Sequence, residues 1–236
     1  MRIAAVGFMN AWPLTVGLPW AVTPLLPAAM TRAHLRDCDL VLAPVIAVAG
    51  DPAWELLPEA PAIGCRGAVQ SVRLDIAAGH DVTTLRHVAL SPESQTSNML
   101  AQVLLTGRWQ RPNGSVHYAT ALPNADATVI IGDRALMTPP PPQSIDLGAA
   151  WYEWTGLPFV FAAWFRRSGA ALVSGLEAQL CAVRDHNLAD LDPLLRAQGL
   201  APDGYRDYLT RRLHYGFGPT EQAGLAHFLT LAARLL

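Results

Sequence analysis

The sequence predicts an α/β fold divided into two lobes. Short runs of apolar, β-branched residues alternate with helical stretches, and this alternation is typical of α/β chains. The alternation forms two successive series, of which the second begins at about residue 87. Two longer strand-like runs, at residues 70–76 and 159–165, connect the series. Two such connections make a double crossover, which acts as a hinge and places a ligand cleft between the lobes.

The first series opens with an apolar run at residues 3–7, which predicts a buried strand. Pro27 can begin a helix that continues to about residue 36, because the N–H that proline lacks would be unpaired at that position anyway. Residues 40–43 predict a second buried strand, and residues 69–76 predict a longer one.

The second series contains strands at residues 87–90 and 127–131, with a polar loop and a helix at residues 98–105 between them. A strand at residues 159–165 follows, and the pattern is helical from residue 168 onward.

These elements predict the boundaries of the lobes. Lobe 1 is expected to be discontinuous and to comprise residues 1–78 and 164–236. Lobe 2 is expected to comprise residues 79–163, with the active-site cleft between the two.

Composition excludes several classes of function. Hydrophobic residues make up 51% of the 236 positions and charged residues 15%, which predicts a folded globular chain. The net charge is −2 and the arginines are not clustered, so no nucleic-acid partner is expected. All 17 basic residues are arginine. A Schiff-base lysine, a pyridoxal-phosphate anchor and a P-loop lysine are therefore excluded.

The spacing of cysteine, histidine and apolar residues excludes further classes. The three cysteines form no CxxC pair, which predicts free thiols in a reducing compartment. The seven histidines lack HxH and HxxxH spacing, so no metal site is expected. The first residues do not resemble a signal peptide, and no apolar run approaches the ~20 residues that span a bilayer. We therefore expect a cytoplasmic protein with no membrane partner.

Asn10 is the first candidate for a functional residue. It lies just beyond the first predicted strand, at the edge where open α/β sheets bind ligands. Its amide can donate to a carboxylate or hydroxyl and accept from another group. The alternative is an asparagine that only closes the turn before Pro13.

The hydroxyl-rich segment of residues 91–97 is the second candidate. It connects a predicted strand to a helix, and a helix start offers free N–H groups and a positive dipole end to an anion. The hydroxyls of Ser91, Ser94, Thr96 and Ser97 are more numerous than a cap requires, which favours anion binding. Ordinary capping by Ser94 or Thr96 is the alternative.

Asp133 is the third candidate, at the end of the strand predicted at residues 127–131. It can hold a substrate hydroxyl or orient Arg134. The alternative is a buried Asp133–Arg134 ion pair that fixes the turn.

Several segments together resemble the chorismate dehydratases of the futalosine route to menaquinone. The resemblance extends from residue 2 to about residue 230, and EWTGLPFVFAAW and IGDRAL are its most specific stretches. The matching segments are GFMNAWPL (7–14), LSPESQTS (90–97), IGDRAL (131–136), DLG (146–148), Trp151, EWTGLPFVFAAW (153–164), HYGFG (214–218) and GL (224–225).

The resemblance implies a two-lobed α/β fold like that of the type II periplasmic binding proteins, with a double-crossover hinge. It implies a hydro-lyase that removes water from chorismate to give 3-[(1-carboxyvinyl)oxy]benzoate, without a cofactor. Asn10 would contact the reacting ring, and Thr96, Ser97 and nearby N–H groups would hold a carboxylate. Ser71 matches the family pattern and would be a further substrate contact.

Other functions remain open. A sister enzyme of the same route acts on cyclic dehypoxanthine futalosine, but it carries a Cys-Pro-Asn-Asp type segment where this chain has residues 9–13. A binding protein for small carboxylates would share the fold, as would a ligand-binding regulatory domain. The sequence does not distinguish a monomer from a homodimer.

Overall fold

Eleven strands are found in the computed structural model, which describes residues 1–120 and 122–236. In chain order they are β1 (Ile3–Val6), β2 (Val22–Leu25), β3 (Leu40–Pro44), β4 (Trp54–Leu56), β5 (Ile63–Cys65), β6 (Val72–Ile76), β7 (His87–Ala89), β8 (His117–Ala119), β9 (Ala127–Ile131), β10 (Ser144–Asp146) and β11 (Phe159–Arg167).

Ten α-helices are found in the same described ranges. They are α1 (Trp12–Thr15), α2 (Arg32–Leu35), α3 (Val45–Val48), α4 (Gln95–Val103), α5 (Gly132–Met137), α6 (Leu147–Thr155), α7 (Leu176–Ala189), α8 (Leu191–Ala197), α9 (Pro202–Asp207) and α10 (Pro219–Ala232). Short 3-10 turns occur at Met9–Ala11 and Pro27–Ala29, and π-helical turns extend α4 and α9 over Leu104–Arg108 and Tyr208–Arg212. None of the helices in the described chain is long and apolar enough to cross a membrane.

The strands form two mixed sheets. The first has the order β2-β1-β3-β11-β4, with β5 also paired to β11. The second has the order β10-β6-β9-β7-β8. β1 is parallel to β2 and β3, and β7 is parallel to β8 and β9. β6 and β11 are antiparallel to their neighbours, so neither sheet is fully parallel.

The central strands are apolar because helices and neighbouring segments cover both of their faces. All four residues of β1 and all five of β3 are buried. β9 has the bounds that the apolar run at 127–131 predicts. The helix predicted from Pro27 to residue 36 is wrong in part, because the segment forms a 3-10 turn and then α2, separated at Met30 (ψ +63°).

The two strand-like runs at residues 70–76 and 159–165 are not themselves the connections, because β6 pairs within the second sheet and β11 within the first. The chain passes between the sheets just before them, at residues 66–71 and 147–158. The lobe boundaries expected at 78/79 and 163/164 stay a prediction. Gln70, in the first of these passages, has a left-handed backbone with φ +65°, which is unusual for a residue with a side chain.

One carboxylate ties the two passages together. Asp146 accepts hydrogen bonds from the backbone N–H groups of Val69 (3.0 Å) and Gln70 (2.6 Å) in the first passage. It also caps α6 by accepting from the N–H of Ala149 (2.9 Å), at the start of the second. We call Asp146 with these three N–H groups the Asp146 clasp. A Cβ on Gly148 would lie only 2.7 Å from Cys65 Sγ and from the Gly67 carbonyl oxygen, so the passages also pack tightly at this point.

Candidate functional site

A cavity lies between the edges of the two sheets, and its space, together with its opening to solvent, is about 520 Å³. The first sheet contributes residues that include Val6, Pro44 and Ala162, and the second contributes Val72 and Ile131. Pro44 pairs with Ala162 and Val72 pairs with Ile131, so the cavity lies where parallel strands end beside the antiparallel crossover strands. This is the edge at which open α/β sheets bind ligands.

The walls of this first cavity are mostly apolar, and four polar side chains interrupt them. Phe161 lines the cavity, whereas Trp151 and Phe159 in the same aromatic stretch are fully buried in the core. The other apolar positions are Val6, Phe8, Pro27, Pro44, Ile63, Val72, Ile131, Ala162 and Leu213. The polar side chains are Asn10, Ser71, Ser94 and Ser97.

Asn10 reaches the cavity from the 3-10 turn that directly follows β1. Its amide oxygen is buried and has no hydrogen-bond partner in the described part of the chain. A turn-closing asparagine would use this oxygen locally, so the geometry favours the interpretation as a ligand contact.

Ser94 and Ser97 lie at the start of α4. The Ser94 hydroxyl caps the helix by accepting from the Ser97 N–H (3.2 Å) and donates to the Ser97 hydroxyl (2.9 Å). The Ser97 hydroxyl keeps its own hydrogen for another acceptor. Ser94 therefore both caps α4 and lines the cavity, two roles that the sequence analysis treated as alternatives.

The structure does not bring Thr96 and Ser91 to the same wall. The Thr96 side chain is buried, accepts a long hydrogen bond from the Ile46 N–H (3.5 Å) and lines neither cavity described here. The Ser91 hydroxyl accepts from the Glu93 N–H (3.2 Å) and lines a second cavity.

Asn98 holds the loop between β7 and α4 in place. Its amide accepts from the Ser91 N–H (2.9 Å) and donates to the Ser91 carbonyl (2.7 Å). Sequence reasoning missed this residue, although an asparagine seven positions after Ser91 in a hydroxyl-rich helix start was the available signal.

The second cavity has about 890 Å³ of empty space and shares Phe8, Ile131 and Gly132 with the first. Asp133 and Arg134, at the start of α5, line it. Both side chains are exposed, and within residues 1–120 and 122–236 they form no ion pair with each other. The alternative of a buried Asp133–Arg134 pair is therefore wrong, and the Arg134 guanidinium is open to an anion in this cavity.

Ser71, at the start of β6, reaches the first cavity from the opposite side to α4. Its hydroxyl accepts a hydrogen bond from the hydroxyl of Tyr208 (3.0 Å). Burial raises the pKa of Tyr208 to about 12, while interactions with the side chains of Ser71 and Asn10 act in the opposite direction. Tyr208 therefore stays protonated at neutral pH. No pattern in the sequence indicated this tyrosine.

The fold is similar to that of the periplasmic aliphatic sulphonate binding protein SsuA from Escherichia coli. The TM-score is 0.63 at 14% identity, and the match covers 99% of this chain and 90% of that protein. This likeness confirms the two-lobed fold of the type II periplasmic binding proteins.

Sequence comparison identifies relatives in two bacteria. A protein named chorismate dehydratase from Campylobacter jejuni is 43% identical over 76 residues, which are 31% of this chain and 26% of that protein. Another of the same name from Thermus thermophilus is 34% identical over 119 residues, which are 39% of this chain and 43% of that protein. These matches span less than half the length of either relative. A family model for menaquinone biosynthesis matches residues 1–234, and the chain therefore belongs to the menaquinone biosynthesis family.

Proposed function

We propose that the protein is a chorismate dehydratase, which converts chorismate to 3-[(1-carboxyvinyl)oxy]benzoate and water. The observation that carries the proposal is a cavity with mostly apolar walls and four side chains that can hydrogen-bond to oxygen atoms of a ligand. These side chains are Asn10, Ser71, Ser94 and Ser97. Two relatives named chorismate dehydratase support it. Chorismate is a small ring with two carboxylates and one hydroxyl, which suits a cavity with apolar walls and a few hydrogen-bonding groups.

The start of α4 suits one of the two carboxylates. The N–H groups of Gln95 and Thr96 precede the first helical hydrogen bond, and the dipole of the helix is positive at this end. The Ser97 hydroxyl supplies a further donor. The resemblance implies a carboxylate contact for both Thr96 and Ser97, and in this proposal Ser97 alone of the two makes it. The second carboxylate lies toward Arg134, which is the cation among the residues lining the adjoining cavity.

The reaction forms an aromatic ring, so its driving force comes from the substrate. The protein holds the two carboxylates, orients the leaving hydroxyl and excludes bulk water. The C–H bond beside the enolpyruvyl ether breaks, its electrons form the new ring double bond, and the C–O bond to the hydroxyl breaks. The proton and the hydroxide leave together as water.

A carboxylate of the substrate accepts that proton in our proposal and passes it to the leaving hydroxide, because the polar groups of the first cavity are amides and hydroxyls. The Asn10 amide oxygen accepts a hydrogen bond from the substrate hydroxyl and orients it, and the amide NH2 donates to the negative charge that develops as the C–O bond breaks. Ser71 donates a hydrogen bond to a substrate oxygen from the opposite wall.

The purified protein should convert chorismate to an aromatic product, detected by ultraviolet absorption and mass spectrometry. Cyclic dehypoxanthine futalosine serves as a parallel substrate. Conversion of that compound alone would assign the sister activity. Binding of chorismate without any turnover would favour a non-catalytic carboxylate-binding protein and reject the dehydratase.

Ser97→Ala should weaken chorismate binding by about 1.5–3 kcal/mol, the usual range for a hydrogen bond to a charged group. The contact exists equally before and during the reaction, so KM should rise while kcat changes little. Ser115→Ala is the matched control, because that buried hydroxyl has no hydrogen-bond partner in the described chain. If KM rises in Thr96→Val and stays at the wild-type value in Ser97→Ala, then Thr96 and not Ser97 binds the carboxylate.

The two lobes should close on ligand about residues 66–71 and 147–158, which connect the sheets. Small-angle scattering should show a smaller radius of gyration with product than without it. An unchanged radius at saturating product, for a protein that is open without ligand, would contradict this hinge.

A further inference from the structure

Tyr208 lies directly behind the wall of the first cavity. It is 5% exposed, and its hydroxyl donates to the hydroxyl of Ser71, which is 3% exposed. Ser71 lines the cavity, whereas Tyr208 is absent from its lining. Any influence of Tyr208 on a ligand must therefore pass through a neighbouring side chain.

The hydrogen bond determines how Ser71 can act. A serine hydroxyl has one hydrogen to donate and two lone pairs to accept with. One lone pair is occupied by Tyr208, and the Ser71 hydroxyl has no other hydrogen-bond partner in the described residues. Its hydrogen is consequently available to an oxygen atom in the cavity. Tyr208 stays protonated and so keeps a hydrogen to donate, and in the structure it donates this hydrogen to Ser71.

Two independent constraints meet at Ser71. The Asp146 clasp fixes the backbone immediately before it through Val69 and Gln70. Tyr208, from the C-terminal part of the chain, fixes the side chain. Tyr208 also lies near the Asn10 side chain, whose amide oxygen is unpaired and buried. One buried hydroxyl therefore interacts with both Ser71 and Asn10, two of the polar side chains that line the cavity.

We propose that Tyr208 is a positioning residue, which fixes the Ser71 hydroxyl as a hydrogen-bond donor toward the substrate. The proposal rests on the dehydratase function proposed above and adds to it a residue outside the cavity. A tyrosine with a purely structural role would instead contribute packing through its ring and leave the kinetics of Ser71 variants unaffected.

The test is a double-mutant cycle of Tyr208→Phe and Ser71→Ala, measured as kcat/KM for chorismate. Each single variant should lose roughly tenfold, the effect of one hydrogen bond of about 1.4 kcal/mol. The double variant should lose clearly less than the product of the two single losses, because the part of the Tyr208 effect that passes through Ser71 disappears with the Ser71 hydroxyl. Tyr215→Phe is the matched control, since it removes a buried tyrosine hydroxyl that has no hydrogen-bond partner in the described chain. It should keep wild-type kinetics.

Wild-type kinetics in a folded Tyr208→Phe variant would overturn the proposal, and so would losses that multiply in the double variant. Thermal melting of all four forms shows that each is folded. A wild-type protein that neither binds nor converts chorismate refutes the dehydratase function and this inference with it. If the wild-type protein converts chorismate but the losses of kcat/KM in Tyr208→Phe and Ser71→Ala are independent, only the role of Tyr208 is refuted.

Discussion

Asn10→Ala is expected to lower kcat for chorismate dehydration by roughly 10²–10³, the effect of removing one preorganised hydrogen-bonding group from charge that develops in a transition state. The Asn10 amide oxygen is buried in the cavity wall without a partner, so the protein already bears the cost of an unpaired polar atom at this position. A ligand group that pairs with it removes this cost. Alanine cannot provide the contact. Because the amide oxygen that it removes has no hydrogen-bond partner within the described chain, that loss alone should affect folding little.

Glu93→Gln and Asp133→Asn are the comparison variants, since both acids line the second cavity. Each of these two substitutions should lower kcat less than Asn10→Ala does if a substrate carboxylate accepts the proton. All assays are run in excess EDTA, and turnover is expected to persist there. Complete loss of activity in either acid variant would identify that acid as a general base and reject the substrate-assisted mechanism. Loss in EDTA that a divalent ion restores would reveal a metal requirement.

Asp146→Ala is expected to lower the free energy of unfolding by about 2–4 kcal/mol, because three backbone N–H groups lose a charged acceptor. The same substitution should raise KM for chorismate. Ser71 directly follows Gln70, and loss of the clasp allows this segment to move away from the cavity.

Asp126→Ala separates the two effects. Asp126 also accepts two backbone hydrogen bonds, from Arg86 (2.6 Å) and His87 (2.9 Å), and they lie at the beginning of β7 and β9. This variant should lose stability, as chemical denaturation will measure, and keep the wild-type KM. An equal rise of KM in both variants, or an unchanged stability of Asp146→Ala, would show that the clasp does not position Ser71.

The sequence predicted those parts of the fold in which local pattern and final environment agree. β9 is apolar at every position except Thr128 and lies between β6 and β7 in the sheet, so its apolar run correctly predicted a buried strand. β2 was missed because Pro24 argues against a strand, and proline is tolerated there since β2 lies at the edge of its sheet. The antiparallel pairing of β6 and β11 depends on partners distant in sequence, which no local pattern records.

The same division applies to the candidate site. Asn10, Ser94 and Ser97 lie a few residues beyond the ends of β1 and β7, and the rule that ligands bind beyond strand ends was enough to find them. Ser71 came from family resemblance alone. Tyr208 is 137 positions from Ser71, and a tyrosine in a helical stretch is ordinary packing until the fold brings the two hydroxyls together.

The adjacency of Gln70 and Ser71 has a thermodynamic consequence. One short segment contains both the residue with the left-handed backbone and the residue that faces the ligand. If open and closed forms coexist at rest, the measured Kd equals the intrinsic Kd divided by the fraction already competent to bind. Substitutions at Gln70 would then change affinity without touching the ligand. Glycine adopts a positive φ without strain. If φ at position 70 differs between the open and closed forms, Gln70→Gly would change the energy of only one form and so shift the ratio of the two in the absence of ligand.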